Sequence, residues 1–305
     1  MKILITGASG YFGKLLAQRL RADCDQKFTV IGVDVRELEE ADSEMKFLSG
    51  DTRKKRFEDI FKTEGKVDAV VHLARTSSPE MKSDDLMMTN VYGTFHILEL
   101  ARKYGVNRFI FPSSTVVYGA RNDNPALIKE TFPLLGNRDV PDIRDRVEAD
   151  MICQTFSAGL AEPRVAILRF APIWRTGGSG ILNQYMNGKF VPTLLGFDPM
   201  FQAIYEHEVL EAFMLAIKNI EAEGAFNIPG KLFMPLSAII KRHDKTPVPL
   251  PDFLVHRDGK FLWSKTLRFD FNYLKYPFTV DGAKARETLG YDPQNLNKTF
   301  CGPAG

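Results

Sequence analysis

The chain has 305 residues, 44% of them hydrophobic, enough for a sizeable core in one compact unit or in a large domain with a small lobe. Its 40 Lys and Arg nearly balance 38 Asp and Glu, and Lys54, Lys55 and Arg56 fall on an expected solvated helix face, so nucleic acid is not an expected partner. No apolar stretch is long enough to cross a bilayer, which excludes an expected membrane span.

Met1 to Ile5 is a short apolar run suited to a buried parallel strand, and Thr6-Gly7-Ala8-Ser9-Gly10-Tyr11-Phe12-Gly13 follows at once. Leu15, Leu16 and Leu20 recur with Phe12 at helical spacing, so the glycines sit between a strand and a helix. In that context Gly7 permits a sharp turn and Gly10 lets backbone N–H groups approach a pyrophosphate at the helix N-terminus. Gly13 lets helix and strand pack closely. A second strand, Phe28 to Val33, ends in Asp34, about 20 residues past the glycines, where a carboxylate accepts from adenosine ribose hydroxyls. Such a carboxylate repels a 2′-phosphate and favours NAD; Arg36, two residues on, is a partner for that phosphate and keeps NADP open.

The alternation continues. Met45 to Leu48 is a strand ending in Ser49-Gly50-Asp51, whose carboxylate is placed for the adenine amino group. Arg53 to Thr63 reads as an exposed helix with Phe57, Ile60 and Phe61 buried. Val67 to Leu73 is a strand, and Asp84 to Tyr104 a long helix with Met87, Val91, Phe95 and Leu98 on one face. Arg108 to Phe111 is a strand delivering Ser113-Ser114-Thr115 to its end. A helix around Ile143 to Phe156 and a strand from Val165 to Phe170 complete the series. This order implies an α/β fold with a doubly wound parallel sheet (Rossmann fold), and ligands at the carboxyl ends of its strands.

These elements resemble an extended short-chain dehydrogenase/reductase of the NAD-dependent epimerase/dehydratase type. The matching stretches are Thr6 to Gly13, Asp34, Gly50-Asp51, His72-Leu73-Ala74, Asn90 to Thr94, Ser113 to Gly119, Leu168-Arg169-Phe170 and Leu289-Gly290-Tyr291, in the expected order over nearly the whole chain. The resemblance implies that Asn90 supports the active-site helix and that Ser114 hydrogen-bonds a substrate carbonyl or hydroxyl. It also implies a dinucleotide lying along Gly7, Ser9, Gly10, Tyr11, Phe12, Gly13, Asp34, Arg36, Asp51, Thr52, Leu73, Ala74, Arg75, Asn90, Pro112, Ser113, Arg146 and Pro172.

The chain departs from the family's pattern where the chemistry lies. The family carries a Tyr four residues before a Lys on the helix after the Ser motif, the Tyr as acid/base and the Lys as its pKa-lowering partner. Here Asp142 and Arg146 stand in those places, natural i,i+4 ion-pair partners. The Arg charge lowers the carboxylate further, leaving a poor proton donor. A literal Tyr-x-x-x-Lys at Tyr185 and Lys189 falls on a later, substrate-lobe helix, and spacing there does not restore the geometry. Tyr118 and Tyr205 have packing explanations. Pro172 and Phe201 replace an Asn and an Arg common in nucleotide-sugar relatives, which weakens that substrate class. Arg75 and Arg175 are read as solvated, with an anion contact as the other option.

Beyond about Ile173, Ile181 to Gly188 and Val209 to Ile220 read as helices and Ala225 to Ile228 as a strand returning to the sheet. The Pro- and aromatic-rich stretch 246–278 reads as packing before it reads as an apolar substrate wall. The expected organisation is a dinucleotide-binding domain over 1–172 with 200–228 returning to it, a substrate lobe over 173–199 and 229–300, and a flexible tail at 301–305. Cys24, Cys153 and Cys301 indicate neither a disulfide framework nor a metal site, with Cys153 a core residue; His72, His96, His207, His243 and His256 show no ligand spacing. The start carries only Lys2 and runs into the glycine loop, so no signal peptide and a cytoplasmic location are expected. The expected function is an NAD-binding epimerase/dehydratase-type oxidoreductase acting on a sugar-like or other hydroxyl or carbonyl small molecule through a non-standard site (Ser114, Asp142, Arg146). The other reading is a catalytically silent NAD(H)-binding or sensing protein acting through a partner. A homodimer through 84–104 and 143–156 fits either.

Overall fold

The computed structural model describes residues 1–37, 45–77, 80–159, 162–175, 181–252 and 270–294. In chain order its first half runs β1 (Lys2–Thr6), α1 (Tyr11–Arg21), β2 (Thr29–Asp34), β3 (Lys46–Ser49), α2 (Glu58–Glu64), β4 (Ala69–His72), α3 (Ser83–Met87), α4 (Gly93–Lys103), β5 (Arg108–Ser114), α5 (Pro141–Gly159) and β6 (Arg164–Phe170). The second half runs β7 (Ile173–Trp174), α6 (Ile181–Tyr185), β8 (Phe190–Leu194), β9 (Met200–Tyr205), α7 (Glu206–Lys218), β10 (Gly224–Ile228), β11 (Leu232–Pro235), α8 (Leu236–Arg242) and β12 (Thr246–Leu250).

Seven strands form one parallel sheet in the order β3-β2-β1-β4-β5-β6-β10. The strand order reverses between β1 and β4, so the crevice for a ligand opens at the carboxyl ends of those two strands. The central strands are unbroken apolar runs because a parallel sheet is covered on both faces; Ile3, Leu4, Ile5, Val70 and Val71 are fully buried. One face packs on α1 and α7 through Leu16, Leu20, Phe213 and Ile217, and the other on α2, α4 and α5 through Phe61, Ile97, Leu98 and Cys153. The strand expected to return late in the chain does so as β10, in register with β6. A third core, with Val117, Tyr185, Phe201, Ile240, Tyr273 and Phe278, ties the end of β5 to the C-terminal segments.

The segment expected as one long helix over 84–104 is broken by a turn of π-helix at Met88–Tyr92 between α3 and α4. The extra residue in that turn rotates the helix, so a 3.6-residue pattern drawn across it loses phase. Leu86, Asn90, Val91, Thr94, Ile97 and Leu98 lie inward, while Phe95, expected to share a face with Val91 and Leu98, is 45% exposed. The shift has a use: it turns the amide of Asn90 towards α5. Among the described residues no helix is long and apolar enough to cross a membrane.

Candidate active site

At the carboxyl ends of β1, β2 and β4 lies a cleft of about 360 Å³ lined by Gly7, Gly10, Asp34, Arg36, Asp51, Thr52, Leu73, Ala74 and Arg75. Gly7 has φ +73°, and a Cβ there would lie 2.6 Å from the Leu73 carbonyl carbon. The loop crosses β4 too closely for any side chain. A Cβ on Gly13 would collide with the Gly7 carbonyl, so α1 can approach β1 only through glycine. The Ser9 and Arg36 backbone N–H groups donate to separate oxygens of Asp34, at 3.0 and 3.1 Å. Each oxygen keeps a further lone pair for a ribose hydroxyl. The Arg36 guanidinium is 3.6 Å from Asp34 and 68% exposed. Asp51 is chelated by Arg53 (2.9 and 2.8 Å), which holds its carboxyl below the usual range. Thr52 is buried, its carbonyl 2.7 Å from His96 Nδ1.

Behind this cleft His72 sits between Thr6 Oγ1 (2.7 Å) and Thr94 Oγ1 (3.1 Å), and burial pushes its imidazole down to about 3. It is a neutral strut between β1 and α4.

The other end of the crevice is built by α5. Asp142 and Arg146 pair as expected, Nε to Oδ2 at 3.0 Å. Arg75 completes a triad, its Nη2 2.7 Å from Asp142 Oδ1 and 3.2 Å from the Asp142 carbonyl. Arg75 is therefore committed to a carboxylate and is not a solvated surface group. Burial works to raise the Asp142 pKa, but the charges and hydrogen bonds of Arg146 and Arg75 outweigh it and hold the carboxyl well below the usual range. Arg146 bonds through Nε alone among the described contacts, so its two Nη groups have no partner there.

Two networks fix α5 in place. Asn90 donates to the Thr76 carbonyl (2.9 Å) and to Asp145 (3.0 Å), and accepts from the Thr76 N–H (2.9 Å). Asp145 is paired in turn with Arg144 at 2.7 Å. Ser113 donates to Asp150 (2.6 Å), which is bound by the fully buried Arg169 (2.7 and 3.0 Å). Arg169 also donates to Tyr118 Oη, which donates to Asn227, each at 2.7 Å. Burial pushes the Tyr118 phenol up to about 12.

A second cleft of about 210 Å³ starts at Ser114, Asp142 and Arg146 and runs between Phe170, Pro172, Phe201 and Tyr273. A small cavity of about 20 Å³, lined by Ala74, Asn90, Pro112, Ser113 and Arg146, lies between the two clefts. Arg146 borders both this cavity and the second cleft.

Several residues placed along the cofactor by resemblance also make contacts within the protein or border the second cleft. Pro172 lines the second cleft. Asn90 and the Ser113 hydroxyl are used within the protein. Phe12 packs its ring against the sheet core, while Tyr11 turns its hydroxyl to Glu206 (2.5 Å). Arg175 is not solvated as expected: its guanidinium lies 3.7 Å above the Tyr11 ring and 3.7 Å from Glu206. Tyr185 reaches the second cleft, but α6 ends there and Lys189 is exposed. Tyr205 caps α7. Tyr273, which no local pattern singles out, borders the same cleft with its hydroxyl 2.7 Å from the Val116 carbonyl. The aromatic segment thus supplies both packing and cleft wall at Tyr273 and Phe278; its part over 253–269 and the expected tail 301–305 lie outside the described residues. No group of three or more His, Cys, Asp or Glu able to hold a metal occurs among the described residues.

Residues 3–171 match the model of the NAD dependent epimerase/dehydratase family. An uncharacterized protein of Mycobacterium tuberculosis is 27% identical over 303 residues, covering 96% of this chain and 80% of that one. The UDP-glucose 4-epimerase of Bacillus subtilis is 27% identical over 203 residues, 62% of this chain and 57% of that one. Among solved structures, a short-chain dehydrogenase/reductase superfamily protein from Agrobacterium tumefaciens with bound NAD is similar in fold at TM-score 0.73 and 19% identity, covering 96% and 92% of the two chains. The UDP-glucose 4-epimerase of Thermotoga maritima with UDP-glucose is similar at TM-score 0.73 and 22% identity, covering 96% and 94%.

Proposed function

Because the chain belongs to the NAD dependent epimerase/dehydratase family, we propose that it is an NAD-binding oxidoreductase acting on a hydroxyl or carbonyl substrate through a rebuilt reactive centre. One observation carries the reading: Arg146 borders both the cavity at the end of the cofactor crevice and the cleft that begins at Ser114. The first cleft fits a dinucleotide. Its glycine loop approaches the wall too closely for side chains, and Asp34 is oriented with acceptor capacity left over. The N–H groups of the Gly10-Tyr11-Phe12 turn would hold the pyrophosphate, Asp34 the adenosine ribose, and Leu73-Ala74 the line between them. Bound NAD supplies two-electron oxidation or reduction, exchanging a carbon-bound hydrogen with its electron pair.

The chain's own groups then have distinct tasks. Ser114 donates a hydrogen bond to the substrate oxygen. The Nη groups of Arg146 stabilise negative charge as it develops there, an electrostatic contribution that needs no proton transfer. Asp142, ionised at neutral pH, relays the hydroxyl proton weakly to water during oxidation, and in reduction water returns a proton to the alkoxide along the same path. Arg75 holds Asp142, and Asn90 holds α5. One observation favours the second reading, a silent NAD(H)-binding protein: the carboxylate is saturated by two arginines. The readings separate in a screen of alcohols, ketones and sugars with saturating NAD+ or NADH. Turnover in the wild type supports the enzyme; turnover only in Asp142→Tyr/Arg146→Lys supports the silent protein. We also propose a homodimer through the helices at 84–104 and 143–156, where Met88, Tyr92, Phe95 and Met151 are exposed. Light scattering should give twice the chain mass; a monomer mass removes the proposal.

A further inference from the structure

We propose that the second cleft takes a small, mainly apolar alcohol or ketone and excludes nucleotide sugars. This names the substrate class of the oxidoreductase reading and rests on it for turnover, though not for binding.

The walls argue first. Val116, Ile143, Phe170, Ile173, Leu182 and Phe201 offer only hydrocarbon. The two tyrosines in the lining do not alter this. Tyr185 donates its hydroxyl to the Pro192 carbonyl and Tyr273 to the Val116 carbonyl, both at 2.7 Å, which leaves their rings as wall. A sugar bears a hydroxyl on nearly every carbon, and each one buried against hydrocarbon costs free energy unless it finds a partner. Here the hydroxyl of Ser113 is already committed to Asp150. Among the described lining residues, polar recognition is left to Ser114, Asp142, Arg146 and Asp270. That suffices for one oxygen of the ligand.

Charge argues next. Arg146 and the Arg75 behind it are balanced by Asp142 and Asp270, and Asp142 already takes one bond from each arginine. A diphosphate carries about two negative charges, and desolvating it requires cations free to pair with it. Beyond the Nη groups of Arg146 the described lining offers none, and with Asp142 and Asp270 its net charge is not positive. Phe201 and Pro172, standing where nucleotide-sugar relatives carry Arg and Asn, are both in this lining and contribute apolar surface instead. Size points the same way: about 210 Å³ lies below the range, from about 300 Å³, of clefts for drug-sized ligands.

The test is ligand-observed NMR on the full chain, with and without saturating NAD+, using acetophenone, 1-phenylethanol and UDP-glucose as probes. Acetophenone and 1-phenylethanol should compete for one site and bind at least about tenfold tighter than UDP-glucose, a difference of roughly 1.4 kcal/mol. Ile173→Trp, which fills the cleft, should abolish that binding while Ile173→Ala keeps it; Val116→Phe serves as a second filling variant if Ile173→Trp fails to fold. The proposal is overturned if UDP-glucose binds as tightly as acetophenone, if neither aromatic probe binds, or if both filling variants melt like the wild type and still bind. Failure of the enzyme reading looks different: aromatic probes bind, but no reduced nicotinamide forms. Turnover of UDP-glucose would keep the enzyme and remove this substrate class.

Discussion

The glycine loop and the first turns of α5 stand at the same carboxyl edge of one sheet, and they treat charge in opposite ways. Around the loop Asp34 is held by backbone N–H groups, at 3.0 and 3.1 Å, and keeps acceptor capacity for a ligand. At α5 Asp142 is closed by Arg75 at 2.7 Å and Arg146 at 3.0 Å, and what faces the ligand is the remainder of a guanidinium. One end is built to receive hydrogen bonds. The other is built to offer positive charge without a movable proton. Conservation of architecture at the binding end therefore says little about the chemistry at the reactive end, which depends on a few side chains.

The comparison breaks most severely if the scaffold behind the reactive end is cut. Asp150→Ala leaves Arg169, fully buried, without its partner, and should cost about 3–5 kcal/mol in denaturant unfolding. A loss below about 1 kcal/mol would mean that Tyr118 and solvent satisfy Arg169 unaided. At the binding end, Gly7→Ala forces a Cβ into β4 at φ +73° and should weaken NAD+ by at least about tenfold in calorimetry, since such strain costs roughly 1–3 kcal/mol. Unchanged affinity would show that the loop does not hold the dinucleotide.

Asp142→Asn sharpens the contrast in a pH series. The Asp142 pKa is depressed in the folded protein, so its stabilising contribution is present above the unfolded value, about 3.9, and is lost as pH falls through the folded value. The variant should lose about 1–2 kcal/mol at pH 7, because its arginine partners are part-exposed, and that deficit should shrink only below about pH 4. His72 acts higher on the scale. Its folded value of about 3 lies under the unfolded 6.5, so the unfolded chain binds the extra proton between them and stability falls as pH drops from 6.5 towards 3. His72→Gln should flatten that region of the profile. The smallest effect belongs to Arg36→Ala: with the side chain 68% exposed, NADP+ affinity should fall several-fold, worth less than about 1 kcal/mol, with NAD+ nearly unchanged.

The binding end was legible in the sequence because its signal is local. Gly7, Gly10 and Gly13 lie within one turn, and Asp34 closes the next strand, so spacing alone carries the geometry. At the reactive end only half the arrangement is local. Asp142 and Arg146 are one helical turn apart and their pairing follows from that spacing, but Arg75 arrives from 67 residues away, and its local sequence suggests only a solvated side chain. Tyr273 is more distant still; the aromatic-rich stretch 246–278 offers a substrate wall as its second reading but does not single this residue out. The phase error at Phe95 has a different origin: hydrophobic periodicity assumes 3.6 residues per turn, and the π-turn at Met88–Tyr92 breaks that assumption in order to aim Asn90.

The most direct test of an intact binding end beside a rebuilt reactive end is calorimetric titration of the wild-type chain with NAD+, NADH, NADP+ and NADPH, with mass spectrometry of any ligand that co-purifies. The account predicts saturable binding of one NAD(H) per chain, tighter than NADP(H), and unchanged within about twofold in Asp142→Asn, a difference under about 0.5 kcal/mol. Absence of binding by all four dinucleotides would contradict it, leaving a fold that has kept its loop and lost its ligand.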